Sequence, residues 1–368
     1  MADSPENRQQ SSSKVGQWGP FVFNPAAPIP PEQPIYEGLL AKGDLAIWLG
    51  REKHRKSCVL LQFAICTALG RAFLHFPFRP RPGLKVVVLD YESKSQTIKG
   101  RYAAIVAAMG LTAVEHELLR ANLKIIEMRK AFKNGLKFAR FPVRPEKGQT
   151  EEFNQAEMEW RLFVQDLGAD LYIIDPMRCM HAQAENDSAL EALLTRVHQI
   201  FADAAVVISH HLRKRDRKTN KQVSLKDDMR VWADEARGSS AITAHADVIV
   251  CQERVVECAV EMLHLGAYLR DAADIDPMVL RESRLESFFW QLAPDIPLEL
   301  MESMDALRQA GGEFSSRTAA VAVLQQTLGD GRSTAFSRLK DLLNRGLLVQ
   351  CDGALKMREM MDETGKAQ

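Results

Sequence analysis

Residues Leu49–Ser57 read LGREKHRKS and join an apolar, strand-like run to an apolar helical pattern. The run before them, Ala46–Leu49, is short and continuously apolar, as a strand covered on both faces is. The pattern after them, Ser57–Ala72, has the length of a helix. A loop that joins a strand to a helix and reads G-x-x-x-x-G-K-[S/T] wraps phosphate groups. The stretch is therefore a candidate phosphate-binding loop.

Three of the four defining positions of that pattern match, namely Gly50, Lys56 and Ser57, while Arg55 replaces the second glycine. In such a loop, backbone N–H groups at the helix N-terminus surround the phosphates, the lysine pairs with them, and the hydroxyl binds Mg²⁺. A side chain at the glycine position costs about 1–2 kcal/mol where the backbone is left-handed. The candidate nucleotide-binding residues are Gly50, Lys53, His54, Arg55, Lys56, Ser57 and Cys58.

The loop alone leaves three interpretations open. Its side chains Arg51, Lys53, His54, Arg55 and Lys56 can form a strongly cationic cradle that still holds a triphosphate. Alternatively, the site is degraded and binds nucleotide poorly. The third interpretation is a chance strand, turn and helix with a Lys-Ser pair.

Short apolar runs alternate with helical patterns over the rest of the core. This alternation predicts an α/β fold, in which a mostly parallel, doubly wound sheet has helices on both faces. Further strands are predicted at 85–90, 123–126, 171–175, 205–209 and 247–251, with edge strands at 262–265 and 287–290. The predicted helices are 57–72, 95–109 and 187–201.

Polar side chains follow three of these strands. Glu92 comes after the second strand, where a carboxylate can polarise an attacking water. Asp175 ends a buried strand, in the position of a residue that binds Mg²⁺. His210 and His211 end the next strand, where a polar side chain can sense the terminal phosphate. Each signal alone is weak, but all lie at carboxyl ends of strands, where open α/β sheets bind ligands.

With these motifs, the chain resembles the RecA/DnaB superfamily of ATPases, and more narrowly the RepA-type hexameric replicative helicases of plasmids and related phage and mobile-element ATPases. The resemblance extends from about Tyr36 to Arg254. It is carried by LGREKHRKS (49–57), VVVLDYES (86–93), LYIIDPMRCMHAQAEND (171–187), VVISHHLRK (206–214) and ARGSSAITAHADVIV (236–250).

The resemblance implies a homo-oligomeric ring, usually a hexamer, with ATP between subunits and single-stranded DNA in its channel. It implies contacts from Lys56 and Ser57 to Mg²⁺·ATP, a catalytic role for Glu92, Mg²⁺ at Asp175, and phosphate sensing by one of the two histidines. The chain departs from the family at Arg55 and lacks the Pro-Gly part of the loop. Some relatives have an arginine finger where this chain has Asp247, and Arg237 and Arg254 are the candidates to replace it.

Two basic stretches are candidates for DNA contact. The first follows His211 and is interpreted either as a mobile channel loop that binds phosphates or as a solvated surface loop. Its cations are Arg213, Lys214, Arg215, Arg217, Lys218 and Lys221. The second stretch, 129–147, interleaves basic residues with phenylalanines, for which packing under a loop is favoured over base stacking.

The C-terminal part is predicted as a separate module, after an arm over residues 1–35 and a core over 36–295. Helices at 298–309, 317–326 and 332–345, followed by a hairpin that turns at Asp352-Gly353, favour a winged-helix domain over 296–368. Its third helix would carry Arg332, Arg338 and Lys340 toward DNA. The alternative is a surface for a partner protein.

Composition narrows the function without identifying it. Lys+Arg and Asp+Glu both number 48, so DNA binding must depend on local basic patches. The six cysteines form no CxxC pair, and neither a signal sequence nor a spanning segment is evident, so we expect a cytoplasmic protein with no membrane association. The leading hypothesis is an ATP-dependent DNA motor of replication type. The alternatives are a DNA-binding adaptor with a decayed nucleotide site and a slow, nucleotide-gated regulator.

Overall fold

The fold is that of a computed structural model of the 368-residue chain. The residues that the structure describes are 33–74, 80–134, 140–145, 148–181, 187–212, 223–236, 239–257, 260–270, 272–283, 288–292, 298–344, 347–351 and 354–357. The predicted arm lies outside these ranges except for its last three residues, where the first strand begins at Pro34. In the described part of the chain, no helix combines the length and apolarity needed to cross a bilayer.

A nine-stranded sheet organises the described core, with the strand order β11-β10-β9-β8-β3-β7-β6-β4-β5. Six neighbouring strands, from β8 to β5, are parallel, and the remaining three form an antiparallel edge. Its strands are β3 (Leu45–Gly50), β4 (Val86–Asp90), β5 (Leu123–Glu127), β6 (Leu171–Asp175), β7 (Ala205–His211), β8 (Val248–Glu257), β9 (Val260–Leu269), β10 (Ile275–Glu282) and β11 (Trp290–Leu292). A separate pair, β1 (Pro34–Tyr36) and β2 (Leu40–Ala41), precedes it. The predicted mostly parallel α/β sheet is confirmed.

Helices cover both faces of this sheet, which explains why its strands are continuously apolar. Successive side chains alternate between the two faces, so that Ile173 packs with the core beneath α1 and Ile174 with the core on the other side. The helices are α1 (Lys56–Leu69), α2 (Ser95–Met109), α3 (Ala113–Asn122), α4 (Met128–Lys133), α5 (Thr150–Leu167), α6 (Met177–Met180), α7 (Asp187–Ile200), α8 (Met229–Ala233) and α9 (Ser239–His245).

The antiparallel edge is larger than the sequence predicts. Strand β8 continues past Cys251 to Glu257 and forms a long hairpin with β9. Polar residues interrupt the apolar run after Cys251, which concealed this extension. The hairpin places Gln252, Arg254 and Glu261 beside the loop that follows β3.

The C-terminal residues form a module with its own apolar core. It contains three helices and a small sheet of strand order β12-β14-β13. Ser316 caps its second helix by accepting a hydrogen bond of 3.2 Å from the N–H of Ala319. Its elements are α10 (Leu298–Gln309), β12 (Glu313–Phe314), α11 (Arg317–Leu328), α12 (Arg332–Asn344), β13 (Leu348–Cys351) and β14 (Ala354–Met357). The turn expected at Asp352-Gly353 lies outside the described residues, and the winged-helix assignment stays a prediction.

The three side chains of α12 that were expected to contact DNA differ in their exposure to solvent. Arg332 and Lys340 are exposed. The guanidinium of Arg338 is instead mostly buried, lies 3.0 Å from Asp330 and 3.5 Å from Glu302, and donates to the carbonyl of Glu299. Arg338 therefore ties α12 to α10 and to the turn before α12, and we correct its expected role from DNA contact to a bond inside the module.

Replacing Arg338 with alanine is expected to destabilise the C-terminal module by about 2 kcal/mol, because it leaves the buried Asp330 without its nearest cation. Urea unfolding of the full chain measures this change. The matched control is Arg332→Ala on the same helix, which should change stability by about 0.5 kcal/mol or less. Equal effects of the two substitutions would contradict the structural role of Arg338.

Candidate nucleotide-binding site

The loop between β3 and α1 places an arginine in left-handed backbone. Arg55 is the N-cap of α1, with φ 63° and ψ 13°. The cost foreseen for a side chain at this position therefore applies. Gly50 is required for a different reason, since a Cβ there would lie 2.9 Å from the carbonyl of Gln252 and 3.0 Å from the Lys56 side chain.

Contacts from the β8–β9 hairpin hold this loop. Arg55 Nε donates to Glu261 Oε1 at 2.8 Å, and Arg254 Nη2 donates to Glu261 Oε2 at 2.7 Å. Although partial burial opposes it, these two bonds hold the pKa of Glu261 below its usual value. The side-chain amide of Gln252 donates to the carbonyl of His54. The ion pairs and hydrogen bonds thus offset the backbone cost at Arg55.

His54 is held as a neutral side chain. Its Nδ1 accepts a hydrogen bond of 3.0 Å from the N–H of Arg254. Burial, followed by the charges of Lys56, Arg51 and Arg254, lowers the pKa of His54 to about 4. The imidazole is therefore unprotonated at neutral pH, and Nδ1 is available to accept.

This shift predicts a loss of stability in mild acid. The unfolded chain binds a proton at His54 below about pH 6.5, whereas the folded chain does so only near pH 4. The contribution of neutral His54 to the stability of the fold is therefore complete above pH 6.5 and is lost as the pH falls toward 4. We expect His54 to account for about 1 kcal/mol of the loss between about pH 7.5 and 5, after allowance for solvent screening. Urea unfolding at both pH values, compared with His54→Asn, measures it. An equal pH dependence in the two proteins would contradict the assignment.

The Lys56 amine lies at the base of the loop. Its Nζ donates to the carbonyls of Gly50 at 2.7 Å and Arg51 at 3.0 Å, and it lies 3.0 Å from Nδ1 of His211. Burial lowers the pKa of Lys56 to about 8, against the attraction of Asp175 and Glu92. The amine is thus next to both the loop and the end of β7, where it can pass from these oxygens to a phosphate group.

Three polar side chains lie side by side at the ends of adjacent strands. Asp90 and Asp175 are register partners on β4 and β6, and Ser209 of β7 donates a hydrogen bond to Asp175. All three point to the α1 face, because the residues two positions earlier on each strand belong to the core beneath α1. Burial raises the pKa of Asp90, whose carboxylate accepts from the N–H groups of Glu92 at 3.0 Å and Ser93 at 2.6 Å.

The main chain of Glu92 is fixed on both sides, while its side chain is exposed to the cleft. Its N–H donates to Asp90, and its carbonyl accepts from Arg129 at 2.8 Å. Partial burial, and then the nearby carboxylates of Asp175 and Asp90, raise the pKa of Glu92. A carboxylate with a raised pKa is a better proton acceptor for water.

The two histidines that end β7 lie on opposite faces of the sheet. His211 is half-buried, contacts Lys56 and lines the cleft. His210 is fully buried. Because it precedes His211 on the strand, its side chain points to the opposite face, on the same side as Ile208. Of the two candidates, His211 therefore reaches the site, and His210 is corrected to a core residue.

These residues share one cleft of about 680 Å³, a size typical of ligand sites. Its lining contains seven Lys or Arg side chains and three carboxylates, a balance that favours an anionic ligand. The cations are Lys53, Arg55, Lys56, Lys94, Arg101, Arg129 and Arg254, and the carboxylates are Glu52, Glu92 and Asp175. Of the other predicted nucleotide-binding residues, Cys58 also lines the cleft, whereas Gly50 lies outside the lining and contacts it through the bond from Lys56 to its carbonyl.

The donor set fits a magnesium nucleotide. Ser57 and Asp175 line the same cleft and offer the oxygen ligands that Mg²⁺ prefers. Among the described residues, no group of three or more His, Cys, Asp or Glu side chains could hold a metal by itself. Proteins commonly bind Mg²⁺ through one or two carboxylates together with substrate phosphates and water, and this pair matches that mode.

Several site residues lie beyond what the sequence predicts or the structure describes. Asp90 and Glu261 were not predicted, although Asp90 ends a strand as Asp175 does. Arg237 and the cations of the basic stretch lie outside the described residues, namely Arg213, Lys214, Arg215, Arg217, Lys218 and Lys221. The segments on either side of that stretch are described: Leu212 pairs with Ala236 in an antiparallel bridge.

Both sides of that stretch also contact the phosphate loop. His211 precedes it and lies next to Lys56. Glu235 follows it and forms an ion pair with Arg51, whose carbonyl accepts from Lys56. Lys56 is thus connected to both ends of the basic stretch, through His211 on one side and through Arg51 and Glu235 on the other.

A family model described as an AAA domain, AAA_25, matches residues 20–217. No curated protein matches the chain. Among solved structures, the chain is similar to the KaiC-like protein PH0186 of Pyrococcus horikoshii OT3, with 10% identity and a TM-score of 0.41 over 71% of this chain and 94% of that one. It is also similar to the flagellar accessory protein FlaH of Methanocaldococcus jannaschii, with 12% identity and a TM-score of 0.43 over 68% of this chain and 90% of that one.

Proposed function

Because the chain belongs to the AAA_25 family and is a P-loop ATPase of the RecA superfamily, we propose that it hydrolyses Mg²⁺·ATP and acts on DNA, as a replication-type helicase of a plasmid, phage or mobile element. The observation that carries the proposal is the convergence of separately predicted residues in one cleft. Lys56, Ser57, Glu92, Asp175 and His211 come from four different segments and line it together.

Each of these side chains has a distinct task in hydrolysis. Lys56 and the first N–H groups of α1 bind the phosphates, since those N–H groups have no partner within the helix. Ser57 and Asp175 would hold Mg²⁺, which neutralises phosphate charge when bound. Glu92 orients the attacking water and accepts its proton. Asp90 keeps Glu92 in place through its backbone N–H.

The proposed action on DNA rests on the basic stretch after His211. Six cations within nine residues favour contact with nucleic-acid phosphates without reading sequence. A phosphate that takes Lys56 would release His211, and would disturb Arg51 and its partner Glu235. Nucleotide occupancy would therefore alter both sides of the stretch. We further propose a homo-oligomeric ring, a hexamer as the family resemblance implies. The exposed Arg332 and Lys340 would offer a second surface for DNA or a partner protein.

Hydrolysis of Mg²⁺·ATP with and without single-stranded DNA tests the proposal. We expect DNA to stimulate hydrolysis, and DNA affinity to fall with salt in proportion to the phosphates contacted. Neutralising Arg213, Lys214, Arg215, Arg217 and Lys218 together should weaken DNA binding and reduce its salt dependence. Unchanged affinity would exclude the stretch as the contact. Light scattering with ATP and DNA tests the ring, and a strict monomer would contradict it.

One observation favours a second function, that of an adaptor or regulator which binds nucleotide and DNA without turnover. Arg55 replaces the loop glycine, occupies left-handed backbone and is ion-paired to the hairpin. ATP binding with no hydrolysis above background, in a protein that retains DNA affinity, would establish this alternative.

A further inference from the structure

Glu261 contacts two of the arginines that line the nucleotide cleft. Each of its carboxylate oxygens accepts one hydrogen bond from a different arginine, Oε1 from Arg55 and Oε2 from Arg254. Arg55 belongs to the phosphate loop and Arg254 to strand β8, and both line the cleft with Lys56. One carboxylate thus joins two cations from separate segments.

Both guanidinium groups remain open to the cleft. The side chains of Arg55 and Arg254 are 37% and 38% exposed, whereas Glu261 is 19% exposed. Guanidinium groups bind phosphate oxygens in the same paired geometry as carboxylate oxygens. A polyphosphate in this cleft would meet two arginines that already have an anionic partner.

We propose that Glu261 competes with the nucleotide for Arg55 and Arg254, so that both arginines exchange a carboxylate for phosphate oxygens when ATP binds. This inference rests on the proposed function, that the cleft binds ATP. It assigns Arg254 as a phosphate-binding residue from the same subunit. It also accounts for the arginine at the glycine position of the loop. The backbone of Arg55 adopts the left-handed conformation, while its side chain binds the phosphate.

Competition predicts opposite effects at the two ends of one ion pair. Glu261→Gln removes the competing charge, and we expect affinity for a non-hydrolysable Mg²⁺·ATP analogue to rise about threefold or more. Arg254→Ala removes a phosphate contact, and we expect that affinity to fall about tenfold or more. Arg254→Lys, which keeps the charge, should recover part of the loss.

Calorimetric titrations of the full chain with the analogue, ADP and adenosine provide the measurement. Adenosine has no phosphate, so its affinity should change in neither variant. The matched control is Arg230→Ala, whose guanidinium contacts both oxygens of Asp274 at 2.9 Å outside the cleft and should leave all three affinities unchanged. A tighter complex in Glu261→Gln cannot come from misfolding, which would only weaken binding.

The outcomes separate this inference from the function on which it rests. If the native chain binds no analogue, the proposed function and the inference both fall. If the native chain binds it but Glu261→Gln binds more weakly, Glu261 only positions the arginines and the competition is overturned. An Arg254→Ala variant equal to Arg230→Ala would remove Arg254 from the phosphate site.

Discussion

Replacing Lys56 with alanine is expected to lower ATP affinity about 100-fold and to remove hydrolysis. The amine is buried at the base of the loop, 2.7 Å from the carbonyl of Gly50. Its loss removes two or more charge-assisted hydrogen bonds to the phosphates, each worth about 1.5–3 kcal/mol. Calorimetric titration with Mg²⁺·ATP, together with a phosphate-release assay, measures both effects.

The matched control is Lys99→Ala, an exposed lysine of α2 that does not line the cleft. This variant should bind and hydrolyse ATP as the native chain does. If Lys56→Ala binds ATP with native affinity, the loop is not the phosphate site, and the chance strand, turn and helix becomes the correct interpretation.

Replacing Glu92 with glutamine is expected to slow hydrolysis about 1000-fold while ATP affinity stays within about threefold, because general-base catalysis contributes about 100- to 10,000-fold. Glutamine keeps the shape of the side chain and the backbone bonds to Asp90 and Arg129. Only the proton acceptor is lost. Single-turnover hydrolysis, measured with ATP in excess of its dissociation constant, isolates this step.

Glu52→Gln provides the control, since Glu52 is another exposed carboxylate that lines the same cleft. Its hydrolysis rate should stay close to that of the native chain. Equal losses in the two variants would indicate a general effect of cleft charge instead of a specific base. Loss of ATP binding in Glu92→Gln would assign Glu92 to nucleotide affinity.

Much of the site was predictable because its residues follow local patterns. Lys56 and Ser57 stand at fixed spacing after a strand, and Asp175 ends a continuously apolar run. Parallel strands end at the same edge of the sheet, so these local signals come together once the fold class is known. The choice between His210 and His211 could not be made from sequence, because it depends on the register of β7 against β3.

The residues that were missed depend on distant pairing. Glu261 meets Arg55 only because β8 and β9 pair over ten residues each and return the chain to the loop. No local sequence pattern distinguishes Glu261 from other acidic residues. Arg338 was misplaced for a similar reason, since its partners lie on another helix and in the preceding turn. Helix α5 was missed because it buries little apolar surface. Trp160 is the one residue of this helix that is fully buried in the structure as described.

The attachment of the phosphate loop to the hairpin has a consequence for local unfolding. The Gln252 side chain accepts from the buried indole N–H of Trp48 at 2.8 Å and donates to the carbonyl of His54. Opening the loop at this point therefore breaks bonds that also hold β8 in the sheet. Segments joined in this way exchange their amide hydrogens as one cooperative unit. The backbone amides of 53–55 and of 252–256 should accordingly share one opening free energy, and a ligand in the cleft should slow the exchange of both by the same factor.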